Sequence, residues 1–213
     1  MSMGSRIAAG FVALATWFAL VLQLVLILSR ASADGVSPAA EVGRYFSYFT
    51  ILTNLLVAAA TTFAALAPGS RVGRWFAQPS VCGAIVTYIA FVGIMYELLL
   101  RHTWNPQGWQ RVADTLLHDV TPLLFAAYWL AFVPRRSVQA GDLPWWLLYP
   151  IAYLAYAMIR GAVTGAYPYH FLDPATEGAH ASVAAIAALC VGMAIFCAAV
   201  FWLDRVLPAR ART

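Results

Sequence analysis

Thr50, Asn54, Glu97, Asp114, His118 and Arg160 are polar or ionisable residues set within otherwise apolar stretches of the chain. Charged residues are 10% of the composition and apolar ones 62%, so each such group needs a reason to be there. The chemistry this set could perform is acyl transfer. A threonine hydroxyl becomes a nucleophile only when a base takes its proton. His118 is the one histidine well inside an apolar stretch, and an imidazole titrates near neutrality, as that base requires. Asp114 lies one helical turn earlier on the same face and could hold the imidazole tautomer, as the third member of a triad does. Asn54 or a backbone amide could supply an oxyanion donor. Thr53 is close enough to Thr50 to be a rival nucleophile, and Arg160 could hold an acidic headgroup.

Each residue also has a structural reading. Thr50 could bond a carbonyl of its own helix, Arg160 could snorkel to the headgroups, and Glu97 could pair with Arg160 or Arg101. Asp114 is near enough to the interface to be solvated. His118 could be an interhelical hydrogen-bond donor. Two other functional classes compete with ester hydrolysis. One is a metal-dependent hydrolase using Asp114, His118 and His170 or His180, although these residues lack a recognisable ligand spacing. The other is a non-catalytic lipid- or small-molecule-binding or transport protein lined by the same polar residues. No metal site or cofactor is expected.

The elements that must position these residues are six apolar stretches, near 6–29, 45–67, 81–100, 113–133, 144–163 and 179–203. About 20 apolar residues span a bilayer as a helix. Runs this long and uniform do not alternate as barrel strands do. The expectation is an all-α polytopic membrane protein, six transmembrane helices in one bundle and one domain, 1–213. The connections are too short for a soluble domain. All 13 basic residues are arginine, with no lysine, giving a net charge of +4. They form no basic stripe with interleaved aromatics, so no nucleic-acid partner is expected. Arg6, Arg71, Arg74, Arg135, Arg136, Arg205, Arg210 and Arg212 lie on one side, and Arg30, Arg44, Arg101, Arg111 and Arg160 on the other. The positive-inside rule then makes both termini cytoplasmic, and the arginine bias points to a bacterial inner membrane. The triplet Ala31-Ser32-Ala33 resembles a signal-peptidase site, but the preceding apolar run is too long for a signal core, so a retained first helix is expected. Cys82, Cys190 and Cys197 read as small buried hydrophobes.

Helical spacing at about 100° per residue gathers three polar stripes. They are Ser47, Thr50, Asn54 and Thr61; Asp114, His118 and Thr121; and Tyr153, Tyr156, Arg160 and Thr164. With Glu97, they share a level in the outer half of the membrane, Thr50 and His118 each about one and a half turns inside a helix end. A polar pocket open to the outer leaflet is expected. Pro122 cannot donate to the carbonyl of His118, so the helix should kink there and leave that acceptor for Asn54, a water or a substrate group.

Three segments carry a family resemblance. They are Tyr45-Phe46-Ser47-Tyr48-Phe49-Thr50-Ile51-Leu52-Thr53-Asn54, Leu117-His118-Asp119-Val120-Thr121-Pro122, and Val163-Thr164-Gly165-Ala166-Tyr167-Pro168-Tyr169-His170-Phe171-Leu172-Asp173. The set resembles the androgen-induced protein family and its bacterial six-helix relatives, over the second to fifth helices. The resemblance implies a membrane threonine hydrolase that cleaves fatty acid esters of hydroxy fatty acids. Thr50 matches the nucleophile of that family and His118 its histidine. Membrane lipids or a lipid-like ester are the partners it implies.

Overall fold

The structure is a computed structural model and describes residues 2–208. Arg210 and Arg212, which entered the charge argument, lie outside the described residues. Helix α1 (Met3–Asp34) starts where the Ser2 hydroxyl accepts from the Ser5 amide and stops at Gly35, whose φ of 66° only glycine adopts readily. It runs unbroken through Ala31-Ser32-Ala33. A short amphipathic helix α2 (Pro38–Tyr45) follows, then α3 (Phe49–Leu66) and the short α4 (Arg71–Phe76). Helix α5 (Pro79–Met95) continues into a π-helical turn, Tyr96–Leu100. Helix α6 (Gly108–Thr115) passes through a second π turn, Leu116–Val120, into α7 (Thr121–Phe132). Helix α8 (Leu143–Thr164), the single turn α9 (Pro174–Glu177) and the long α10 (Ala179–Val206) complete the order.

Six helices are long and apolar enough to cross a membrane: Met3–Asp34, Phe49–Leu66, Pro79–Leu100, Gly108–Phe132, Ala140–Thr164 and Ala179–Val206. No strand occurs among the described residues. Helix α1 packs along α3, while α5 lies between α3, α7 and α10. Val57 of α3, Ile89 of α5 and Phe125 of α7 are fully buried in the main core.

Two expectations about helix ends are corrected. The second span begins at Phe49, not near residue 45, because the Ser47 hydroxyl donates to the Arg44 carbonyl (2.6 Å) and the Ser47 amide donates to it as well (3.0 Å). These local bonds end α2 and leave Phe46–Tyr48 as a break. Thr50 therefore sits in the first turn of α3 instead of one and a half turns inside. The fourth span begins earlier, at Gly108, so Asp114 and His118 lie deeper in their helix than expected.

The π turn adds a second acceptor to the one that Pro122 leaves on His118. In the π turn the Thr121 amide donates to Leu116, bypassing Leu117. The next donor in that register would be residue 122, which is proline. The Leu117 carbonyl thus also loses its helical donor, and Asn54 Nδ2 fills it at 3.2 Å while also reaching the Thr50 carbonyl at 2.8 Å. The His118 carbonyl instead faces Gly93 of α5, so close that a Cβ there would meet it at 2.9 Å.

Candidate functional site

Threonine hydroxyls on membrane helices usually satisfy themselves on the carbonyl one turn back. Thr16, Thr61, Thr62 and Thr87 do so here, at 2.6–2.8 Å. Thr50 does not. Its place in the first turn of α3 means that the preceding turn is not helix, and its hydroxyl faces Tyr169 instead. Tyr169 comes from the segment between α8 and α9, a strap that folds back over the bundle. The strap begins at Gly165 (φ 70°) and lays the Tyr167 ring on Gly161, where a Cβ would stand 2.2 Å from it. Burial raises the Tyr169 phenol above its ordinary range. Hydrogen bonds from the Thr50 hydroxyl and from the Thr50 and Phe49 amides act in the opposite direction. Those amides belong to the first turn of α3, where they have no partner within the helix and no side-chain cap.

Thr50 and Tyr169, with Leu100, form the partition between two cavities. One, of about 190 Å³, is apolar and lies between α5, α8 and α10, with Met95, Pro150, Leu154 and Met193 in its wall. The other, of about 450 Å³, holds His118, Asp114, Gln23 and Gln110, with Arg30 and Arg44 also lining it. Thr50 and His118 thus open onto the same polar cavity, and Thr50 also reaches the apolar one.

The imidazole is held from two sides. His118 Nδ1 lies 2.9 Å from the Asp114 carbonyl oxygen and 3.2 Å from Asp114 Oδ1. Both oxygens of a carboxylate and a carbonyl only accept, so Nδ1 carries the proton and Nε2 is left basic. Tyr96 stacks on the ring, centroids 3.8 Å apart and planes within 14°. Asp114 is 3% exposed, buried rather than solvated.

The other expected residues separate into two groups. Thr53 is fully buried against the Tyr149 hydroxyl at 3.1 Å and lines neither cavity, so Thr50 alone of the two rivals faces them. Asn54 gives its amide to two carbonyls and is not available as an oxyanion donor. Tyr153 lines the apolar cavity and donates to the Ser47 carbonyl at 2.9 Å. Three more residues, like Thr53 and Asn54, do not line the cavities. Glu97 is exposed and pairs with Arg101, which also reaches Asp119 at 2.6 Å. Arg160 donates to the Ala166 carbonyl at 2.7 Å, and Tyr156 to the Phe46 carbonyl at 3.4 Å from an exposed position. The third stripe is the reason for the last two: the buried line of α8 runs through Trp146, Tyr153, Ala157 and Gly161, rotated away from Tyr156, Arg160 and Thr164. Cys82 and Cys197 are buried as expected, whereas Cys190 is exposed and lines the apolar cavity.

His170 reaches the polar cavity and His180 does not. Among the described residues no group of three or more His, Cys, Asp or Glu converges as a metal would need. Sequence reasoning missed Gln23, Arg30, Arg44, Tyr96 and Tyr169. The last was in view, inside the Val163–Asp173 run, but nothing in helical spacing says that a loop tyrosine returns to a helix start.

Comparison of the chain with family models, with curated proteins and with solved structures finds no match to any of them. The fold and cavities define a class only: an all-helical bundle with six helices long and apolar enough to cross a membrane and two adjoining cavities.

Proposed function

We propose that this chain is a multi-pass inner-membrane hydrolase of a lipid-like ester, working through Thr50 as nucleophile and His118 as base, with both termini cytoplasmic. The observation that carries this is the position of Thr50. Its hydroxyl, unspent on its own helix, stands where an apolar cavity meets the polar cavity of His118. The resemblance to the androgen-induced protein family supports the same two residues.

In the proposed reaction His118 Nε2 takes the Thr50 proton as Oγ1 attacks the ester carbonyl carbon. The Phe49 and Thr50 amides, at the positive end of α3, receive the developing oxyanion in place of the Tyr169 hydroxyl. Collapse of the tetrahedral intermediate breaks the ester C–O bond, and the alcohol leaves with the proton from His118. Water, deprotonated by the same histidine, then hydrolyses the acyl-threonine and frees the acid. The acyl chain occupies the apolar cavity, and the alcohol portion the polar one. An acidic group on that portion meets Arg30, which lines the polar cavity, whereas Arg160 lines neither cavity.

The test is hydrolysis of medium-chain p-nitrophenyl esters by the purified protein in detergent. Thr50→Ala and His118→Ala should each reduce turnover to background while the fold is kept. Turnover that survives Thr50→Ala would overturn the assignment. Saturable lipid binding without any turnover would favour the passive-cavity reading.

A further inference from the structure

Asp114 is an acidic residue inside a membrane-spanning helix, and only one of its oxygens faces His118. Such a group needs partners for its remaining acceptor positions. The partner present is Tyr96, from the π turn that ends α5, whose hydroxyl donates to Asp114 Oδ2. The same residue lays its ring on the His118 imidazole at 3.8 Å. Tyr96 is 3% exposed, and its oxygen accepts in turn from Trp104 Nε1 at 3.2 Å. Arg101 sits over the Tyr96 ring, 4.9 Å from its centroid, anchored by Glu97 and Asp119.

We propose that Tyr96 is the positioning residue of the His118–Asp114 pair, fixing the carboxylate through its hydroxyl and the imidazole plane through its ring. The inference rests on the hydrolase reading for its consequence in turnover, but not for its geometry. A π turn widens the helix and advances each following side chain relative to an α register. Both Tyr96 and His118 lie in such turns, Tyr96–Leu100 and Leu116–Val120, and the two widened segments bring the rings face to face. The hydroxyl and the ring then act on different atoms. With the hydroxyl bound, Oδ2 is fixed and the carboxylate is kept with Oδ1 3.2 Å from Nδ1, a negative charge that favours the proton on that nitrogen. With the ring in place, the imidazole cannot turn about its χ2 and exchange its two nitrogens.

The charged and titratable groups around the imidazole are few. Asp114 is on its own helix, and Tyr96 with Arg101 comes from the end of α5. Across the cavity stand Arg30, Arg44 and His170, with Tyr169 at the partition. None of these shares a direct contact with Nδ1.

Two variants separate the roles, and proton NMR of the full chain in detergent reads them without reference to turnover. The Nδ1 proton of His118, bonded to the Asp114 carbonyl with the carboxylate Oδ1 3.2 Å away, should give a downfield resonance that is absent from His118→Gln. Tyr96→Phe keeps the ring and loses the hydroxyl, so the resonance should move but persist. Turnover (kcat) should fall several-fold with KM unchanged. Tyr96→Leu loses the ring as well, so the resonance should broaden away and kcat should fall by about tenfold or more. No downfield resonance in the wild type, or one unchanged in both variants, would overturn the inference. If the resonance responds as described but no Thr50-dependent turnover exists, the hydrolase reading fails and the positioning geometry stands.

Discussion

Asn54→Leu and Pro122→Ala, made singly and together, form a thermodynamic cycle around the carbonyl of Leu117. In the wild type that carbonyl has lost its helical donors to the π turn and to Pro122, and Asn54 supplies the replacement at 3.2 Å. Leaving a buried carbonyl unsatisfied costs about 1–3 kcal/mol. Leucine keeps the branched four-atom shape of asparagine, with bulkier methyl groups in place of its oxygen and nitrogen, and it removes Asn54 Oδ1, a buried acceptor with no hydrogen-bond partner among the described residues. That relief offsets part of the loss, so Asn54→Leu should destabilise by about 1 kcal/mol, within the range of interhelical hydrogen bonds in bilayers. In the Pro122→Ala background residue 122 carries an N–H again, and the Leu117 carbonyl regains a donor from its own helix. Asn54→Leu should then cost close to nothing, a coupling of about 1 kcal/mol. Unfolding in mixed micelles titrated with a denaturing detergent measures all four proteins. Costs that add within about 0.3 kcal/mol would refute the assignment of Leu117 as the orphaned carbonyl.

Three further outcomes follow from the site. Thr53→Ala should keep most hydrolysis and lose only the bond to Tyr149, a stability cost of about 0.5–1.5 kcal/mol seen in the same titration; Thr50→Ala should do the reverse. Gly161→Ala places a methyl group against the Tyr167 ring, so the strap carrying Tyr169 must shift, and hydrolysis should fall by about tenfold to a hundredfold in a steady-state assay. Arg160→Gln, at a residue that lines neither cavity, should leave the KM preference for acidic over neutral esters within about twofold, whereas Arg30→Gln should raise KM for acidic esters selectively.

Much of the architecture was legible because long apolar runs have few ways to fold. Length and apolarity alone mark the six helices, and every expected span overlaps one that the structure contains. Thr50, Asp114 and His118 were legible for a related reason: few polar residues enter these helices, and helical spacing puts the last two on one face. The starting points of helices were not. Ser47 ends α2 by a side-chain bond to the Arg44 carbonyl, a local competition that hydropathy does not register, and this moved Thr50 to a helix start. Arg160 was misplaced because arginine and tyrosine look alike to a polar-stripe argument whether they face a cavity or the headgroups. Tyr96 and Tyr169 were hidden for a different reason. Aromatic residues are ordinary at span ends, and only tertiary contact shows which of them touch His118 or Thr50.

The measurement that bears most directly on the proposed function is labelling of the protein in membranes with a fluorophosphonate probe, followed by mass spectrometry of the adduct. The expected result is one adduct, on Thr50, lost in Thr50→Ala and His118→Ala and kept in Thr53→Ala. An adduct elsewhere, or labelling that persists in folded Thr50→Ala, would contradict an activated Thr50 at the junction of the two cavities.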